Sequence, residues 1–226
     1  MCGRYVLYDE LDEIDHFLGV MERHGEYHPS YNIAPSNVMP VAFAGEGGRR
    51  MLESMHWGFM GWQPKPGESP FLPINTRDDS VAKKPMWTKA FAERRCIIPA
   101  NGFYEWTGTK GNKTPHYIYP KGEPLFGFAG LYSDLAPDNR PARRSYSIIT
   151  TSPNQVMEKI HDRMPVILHP SEFGKWLDPA QHDPGYLQEF LQPFPDDGLQ
   201  EHIVSKAVGN VRNNEPGLIA KADLFG

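Results

Sequence analysis

Twenty-two of the 226 residues are proline, about twice the usual share of roughly 5%, and they are scattered among short apolar runs rather than gathered in one linker. A proline has no N–H to give to a helix or a central strand, and its ring fixes its own φ. A chain punctuated this often is a poor candidate for a bundle of long helices. It suits short strands joined by turns, with brief helices inserted between them. Apolar residues are 39% of the chain and charged residues 23%. At this length that is enough for one well-filled core, and too apolar for a disordered polymer. Nothing in the composition divides the chain, so the sequence predicts a single domain over residues 1–226.

The pattern along the chain agrees. DELDEIDHFLGVMER (9–23) places Leu11, Ile14, Phe17, Leu18 and Met21 at three- and four-residue steps, which predicts an amphipathic helix with an acidic outer face. VMPVAFA (38–44) and RRMLESMHW (49–57) flank a GEGG turn as a strand pair, with Pro40 pointing to an edge or irregular position. PMWTKAFAERR (85–95) reads as a helix with Pro85 in its first turn, running into the strand-like CIIPA. FYEW, HYIYP, LFGFAGLY and SYSIIT add four β-rich runs, with TGTKGNKTP as the loop between the first two. NQVMEKIH (154–161) and SEFGKWL (171–177) are short helix candidates, the Pro- and Asp-rich stretch 178–198 reads as a surface excursion, and EHIVS (201–205) as a late strand. The fold class is α+β: a mixed, largely antiparallel sheet curling toward a barrel, because many short strands need mutual closure or covering, with helices at the periphery.

Two cysteines, Cys2 and Cys96, stand 94 positions apart with no CxxC spacing, which gives neither a disulfide framework nor a cysteine zinc site. The nine histidines form no recognisable ligand set, so no metal is expected. Asp9, Glu10, Asp12, Glu13 and Asp15 occupy the region where a secretory signal needs an apolar core, and no run approaches the ~18 apolar residues of a membrane span. The expected location is the cytoplasm, without a membrane partner. Net charge is −5, but residues 9–26 and 172–201 each carry seven acids against one base, which leaves the rest of the chain at +7. Two readings stand for that excess: scattered solvated charge, or a basic surface where Arg4, Arg77, Lys83, Lys84, Arg163, Lys206 and Arg212 converge on nucleic acid.

For chemistry, GxSxG, GxxxxGK[ST], a strand-borne GxGxxG and HExxH are all missing, which removes the usual support for serine hydrolase, P-loop, dinucleotide and zincin readings. Cys2 stands out by its place in MCGRY. A terminus is a poor position for a packing cysteine. Removal of Met1 would leave an α-amine, ordinary pKa about 7.7–8.0, beside a thiol of about 8.5. An amine of this kind condenses with an aldehyde, and attack of the neighbouring thiol on the imine closes a five-membered thiazolidine, an intramolecular step favoured by proximity. The other reading of Cys2 is a passive small residue. Glu105, in NGFYEW, is either an inward acid/base with its pKa raised by apolar neighbours or an outward strand glutamate. His161, in IHDRMP, is either a proton shuttle or a helix C-terminal partner. Asn75, in PINTRDD, is either an Asx-turn residue or a substrate anchor. Trp57, Phe59 and Trp62 in HWGFMGW are core residues or stacking platforms, with Trp62, beside a Pro- and Gly-rich loop, the better candidate for a base.

Taken together, MCGRY, YNIAPS, HWGFMGW, PINTRDDS, RRCIIPANGFYEW, IHDRMPVIL and VSKAVGNVRNN resemble, in this order, the SOS response-associated peptidase (SRAP) family, from residue 2 to about residue 219. That family captures abasic sites in single-stranded DNA covalently. The resemblance implies a barrel-like α+β domain without a metal or organic cofactor, acting as a monomer on single-stranded DNA that contains abasic sites. Matched by motif, Cys2 is the crosslinking residue, Asn75 holds the terminus and the sugar, Glu105 is the acid/base and His161 a proton donor in sugar opening. Arg4 and Arg77 grip phosphates, Thr150 and Arg163 lie along the DNA path, and Trp62 stacks on a base. The chain departs from the family pattern in three places. Asp78, Asp79 and Ser80 follow Arg77, a conservative change that preserves local hydrogen bonding but adds negative charge near DNA. Pro85 stands close to a place where relatives can carry a basic residue, leaving Lys83 or Lys84 to substitute. A single tryptophan follows the Gly where some relatives have two. Three functions compete: a protein that crosslinks itself to abasic single strands, a thiol peptidase that attacks peptide bonds or removes its own Met1, and a non-covalent single-strand binding module.

Overall fold

A computed structural model describes residues 2–65, 67–138 and 142–222. The first half of the chain forms β1 (Tyr5–Leu7), α1 (Leu11–Leu18), β2 (Glu22–His24), β3 (Ser30–Ile33), β4 (Val38–Ala44), β5 (Arg50–Trp57), β6 (Asn75–Arg77), α2 (Asp78–Val81) and α3 (Pro85–Glu93). The second half forms β7 (Arg95–Ala100), β8 (Gly102–Thr109), β9 (Asn112–Pro120), β10 (Phe126–Ser133), β11 (Ser145–Thr151), α4 (Gln155–Glu158), β12 (Met164–Pro165), β13 (Ile167–Leu168), α5 (Phe173–Trp176), α6 (Pro184–Gln188) and β14 (Leu199–Ile203). The mixed α+β class stands, with short helices outside the sheets.

Closure comes from one non-local pairing. Strands β11, β10, β7, β4 and β5 pair in that order and antiparallel, and β5 then returns to β11 in parallel through His56↔Ser145 and Trp57↔Tyr146. The ring removes the edges that an open sheet would leave to water. β6 continues along β11, also in parallel, with Asn75 opposite Ile148 and Arg77 opposite Thr150. A second sheet, β14-β9-β8-β1-β3, lies against the barrel. Its inward residues Tyr5, Phe103 and Ile118 join the main core, where the rings of Tyr5 and Phe103 meet Phe128 edge-on. Its outward residues Val6, Tyr104 and Tyr117 are covered by Val204, Val208 and Leu218 of the C-terminal segment. Each large side chain so buried contributes about 1.5–3 kcal/mol relative to exposure. Gly102 belongs to this packing, since a side chain there would overlap the Tyr117 ring.

Several expectations need correcting. The first helix stops at Leu18, because Gly19 adopts φ 63° and its N–H bonds back to His16. Met21 therefore leaves the apolar face and is 73% exposed. β4 is an inner strand, not an edge, and Pro40 is tolerated there because β7 pairs only with Ala42 and Phe43. The TGTKGNKTP loop is mostly strand: β8 and β9 pair out to Thr109↔Asn112, and the turn is Lys110 and Gly111, the latter at φ 91°. The helix expected over 154–161 is the single turn α4, capped by Asn154, whose side chain accepts from the Met157 N–H. The stretch 178–198 is more than a surface excursion, for it contains α6 and buries Leu187 and Leu191. It is anchored by Arg95, whose buried guanidinium donates to the carbonyls of Phe91, Ala92, Trp176, Asp178 and Gln181. Burial pushes that guanidinium down to about 10, still charged at neutral pH.

Candidate active site

Four candidates read from separate motifs come together where the N-terminal segment enters the barrel. Against the expectation that a terminus is a poor place for packing, Cys2 is fully buried in the main core, because the residues after it are drawn into the second sheet as β1; its Sγ lies 4.0 Å from the Arg4 carbonyl. Asn75, projecting from β6, donates its side-chain amide to the Cys2 carbonyl at 2.9 Å. The other amide atom, Asn75 Oδ1, is buried and accepts no hydrogen bond among the described residues. Glu105, on β8, is 5% exposed. Burial holds its carboxyl above the ordinary carboxylate range, opposed by the charge of His161. Burial likewise pushes the Cys2 thiol well up, and the Glu105 charge adds to the rise. The thiol is therefore protonated at neutral pH, unlike the thiolates of cysteine hydrolases. Beneath it the Tyr5 and Tyr146 hydroxyls share a hydrogen bond of 2.7 Å inside the core.

His161 follows α4. Its Nδ1 lies 3.0 Å from the Arg163 backbone N–H and 2.9 Å from Asp162 Oδ1. A ring protonated on Nε2 alone accepts the first, whereas a ring carrying a proton on Nδ1 donates to the second, so Nδ1 has a partner in either role.

The cationic candidates are mostly tied within the protein. Arg4 donates through one nitrogen to Asn32 Oδ1 at 2.6 Å and to the Val208 carbonyl at 2.9 Å, with its guanidinium 5.7 Å from the Trp106 ring centre. The C-terminal SKAVGN segment thus fixes Arg4 from outside the sheet. Arg77 is exposed and paired with Asp79 at 2.7 Å. Arg163 is largely buried and donates to Asp78 at 2.6 Å and to the Thr150 carbonyl. Thr150 itself has no exposed surface, and its hydroxyl donates to the Thr76 carbonyl, so it braces β6 from within rather than offering a side chain to a strand outside. Lys83 and Lys84 are exposed at the entry to α3. Trp62 is 53% exposed and lines a cleft of about 380 Å3 with Phe59, Pro85, Met86 and Lys89.

Sequence reasoning missed the groups that hold these residues in place. Asp78 binds Arg163 with one oxygen and accepts from Thr151 with the other, at 2.7 Å, while Gln188 of α6 donates to its carbonyl. The DD pair after Arg77 signalled preserved local hydrogen bonding and added negative charge; it carries no local mark of these partners, which lie 73–110 residues away. Asn32, which holds Arg4, had its only signal in the YNIAPS block. Among the described residues no cluster of three or more His, Cys, Asp or Glu is arranged to hold a metal ion, and no helix is long and apolar enough to cross a membrane.

Comparison with known proteins adds to this geometry. The family model for SOS response associated peptidase (SRAP) matches residues 1–211. Abasic site processing protein YoqW of Bacillus subtilis (strain 168) is 41% identical over 228 residues, covering 97% of this chain and 99% of that protein. Abasic site processing protein HMCES of Xenopus tropicalis is 32% identical, covering 86% of this chain and 67% of that protein. A solved structure from Bacteroides thetaiotaomicron shares the fold, with a TM-score of 0.83 at 24% identity, covering 98% of this chain and 100% of that one. With a family match over nearly its whole length and 41% identity to a relative along almost all of both chains, this protein belongs to the SOS response-associated peptidase family.

Proposed function

We propose that this protein recognises abasic sites in single-stranded DNA and joins itself to them covalently through Cys2. The observation that carries the reading is the convergence on one residue. The Cys2 carbonyl is held by Asn75, its thiol feels the charge of Glu105, and Glu105 feels the charge of His161. Met1, whose removal the chemistry requires, lies outside the described residues. Once it is gone, the Cys2 nitrogen is an amine instead of an amide.

The ring-opened abasic sugar is an aldehyde. The Cys2 amine adds to its carbonyl carbon, and the resulting carbinolamine loses water to give an imine. The thiol then adds across the C=N bond: sulfur bonds to carbon, and the thiol proton passes to nitrogen. The sum is a thiazolidine plus one water. Glu105, with its raised proton affinity, takes up and returns the protons of the addition and dehydration steps, and His161 protonates the departing ring oxygen. The unpartnered Asn75 Oδ1 is an acceptor for the new amine or a sugar hydroxyl. The exposed Arg77, Lys83 and Lys84 supply cationic partners for phosphates, Arg163 reaching one only by leaving Asp78, with Arg4 positioned beside Trp106, and Trp62 a face for an adjacent base. Such a protein works in the cytoplasm, at the nucleoid when joined to damaged DNA.

A protonated, buried Cys2 thiol suits addition to an imine better than attack on a peptide bond, which favours this reading over the peptidase one. The test is intact-mass measurement after mixing the protein with uracil-containing single-stranded DNA treated with uracil glycosylase. The expected adduct equals the mature protein plus the oligonucleotide less one water, and it is absent for Cys2→Ala and for undamaged DNA. An equal yield from Cys2→Ala would rule the mechanism out. Salt-sensitive binding indifferent to the lesion, with no adduct, would leave a simple single-strand binder.

A further inference from the structure

The sheet that carries Glu105 continues into a second polar group for which the mechanism so far has no use. In the β8–β9 hairpin Glu105 is directly opposite His116. Alternation along a strand puts Glu105, Thr107 and His116 on one face of the sheet, and directly opposed residues have Cβ atoms about 4.5–5.5 Å apart. On the far side of β9, β14 pairs with Ile203 opposite His116 and Glu201 opposite Ile118, so Glu201 shares that face. The side chains then link. Thr107 Oγ1 lies 3.0 Å from His116 Nε2, and Glu201 Oε2 lies 2.9 Å from His116 Nδ1. A linked polar group, Thr107, a His116 side chain 12% exposed and a Glu201 side chain 37% exposed, therefore shares the sheet face of the buried Glu105, with His116 directly opposite it in register.

We propose that His116, fixed by Glu201 and Thr107, is a positioning residue for Glu105: its ring sets the charge that Glu105 faces across the strand pair, and so sets the pH range over which the abasic-site reaction runs. The proposal rests on Glu105 acting as the acid/base of that reaction. An imidazolium at His116 has an acceptor at each nitrogen, Glu201 on one side and the Thr107 hydroxyl on the other, so the charged ring is accommodated in a largely buried position. Its positive charge opposite Glu105 favours the carboxylate against the pull of burial. Glu105 faces Cys2 from the N-terminal segment, His161 from the segment after α4, and His116 from β9. His116 in turn faces Glu105 on β8 and Glu201 on β14, and α4, packed beside β14, carries the exposed Glu158.

The experiment is the single-turnover crosslinking rate on an abasic oligonucleotide across about pH 5–9, for wild type, His116→Phe and Glu201→Gln. Phenylalanine keeps the bulk without the charge. Its acid limb is expected to move upward, so that near pH 6 it reacts about threefold or more slowly than wild type, the effect of a half-unit displacement. Near pH 8 the rates converge, and affinity for the abasic strand is unchanged at both. Glu201→Gln, a surface change that keeps the fold, is expected to shift the limb less. Superimposable pH profiles for wild type and His116→Phe, with Cys2→Ala still inactive, would overturn the coupling and leave the crosslinking reading standing. A wild type that forms no adduct at any pH would overturn the crosslinking reading itself. A second measurement needs no activity: the NMR titration of the His116 ring is expected to move when Glu105 is replaced by glutamine, and an unmoved titration overturns the coupling whatever the variants do.

Discussion

Replacing Glu105 with glutamine separates what a buried carboxylate costs the fold from what it gives the reaction. The side chain is 5% exposed, and burial raises its proton affinity, with the His161 charge opposing. The folded value therefore lies above the unfolded one, about 4.3. Between the two, the native state holds a proton that the unfolded chain has released, so stability falls as pH rises through the window, and above it the full cost remains. Glutamine has nearly the same shape and no charge. Glu105→Gln is thus expected to be close to neutral near pH 4 and stabilising near pH 7, each unit of raised affinity being worth about 1.4 kcal/mol. For a chain of this length 1 kcal/mol moves Tm by about 2–4 °C, well within the resolution of thermal scans at the two pH values. Crosslinking moves the other way: loss of a general acid/base costs about 10²–10⁴-fold, so the rate near neutral pH falls at least about a hundredfold while DNA affinity holds. A Tm difference that is the same at both pH values refutes the burial reasoning, and a rate within about threefold of wild type refutes the catalytic role.

Three further outcomes are expected. Asn75→Ala removes the 2.9 Å bond to the Cys2 carbonyl, a contact worth about 0.5–1.5 kcal/mol; crosslinking time courses should slow by up to about tenfold at unchanged affinity, and an unaltered rate means the terminus is held by other groups. Trp62→Ala should weaken single-strand binding, measured by fluorescence anisotropy, by about 1–3 kcal/mol without moving Tm, since the ring is half exposed; equal affinity would place the strand elsewhere. Asp79→Asn releases Arg77 from its exposed partner and removes a like charge from the DNA path, so the log–log salt dependence of binding should steepen by about 0.7, one phosphate contact. A slope that does not change shows Arg77 to be off that path.

Much of this candidate site was legible in the sequence, because the marks that single out Cys2, Asn75, Glu105 and His161 are local motifs. Cys2 is marked by its place in MCGRY, and a glutamate between Tyr104 and Trp106 has apolar neighbours already. The strand-rich class was legible for a similar reason, since prolines and two-residue alternation act over a few residues. Where local rules failed, a distant partner had overridden them. Pro40 sits in an inner strand because β7 happens not to reach it, and the stretch 178–198 folds inward because Arg95 holds the carbonyls of Asp178 and Gln181 and because Leu187 and Leu191 are buried. Asp78, read from the sequence as keeping local hydrogen bonds and adding charge near DNA, is the anchor of the distant Arg163.

By itself, then, the sequence determined the prevalence of short strands and singled out Cys2, Asn75, Glu105 and His161 as candidates. Only the tertiary structure decided that the sheet closes, through His56↔Ser145, and that β6 lies along β11 so that Asn75 reaches Cys2. It also decided that His116 stands opposite Glu105 and that Thr150 faces inward. The physical reason is register: hydrogen-bond pairing between strands remote in sequence fixes which face each residue shares and with whom, and a slip of one residue would send every such side chain to the other side.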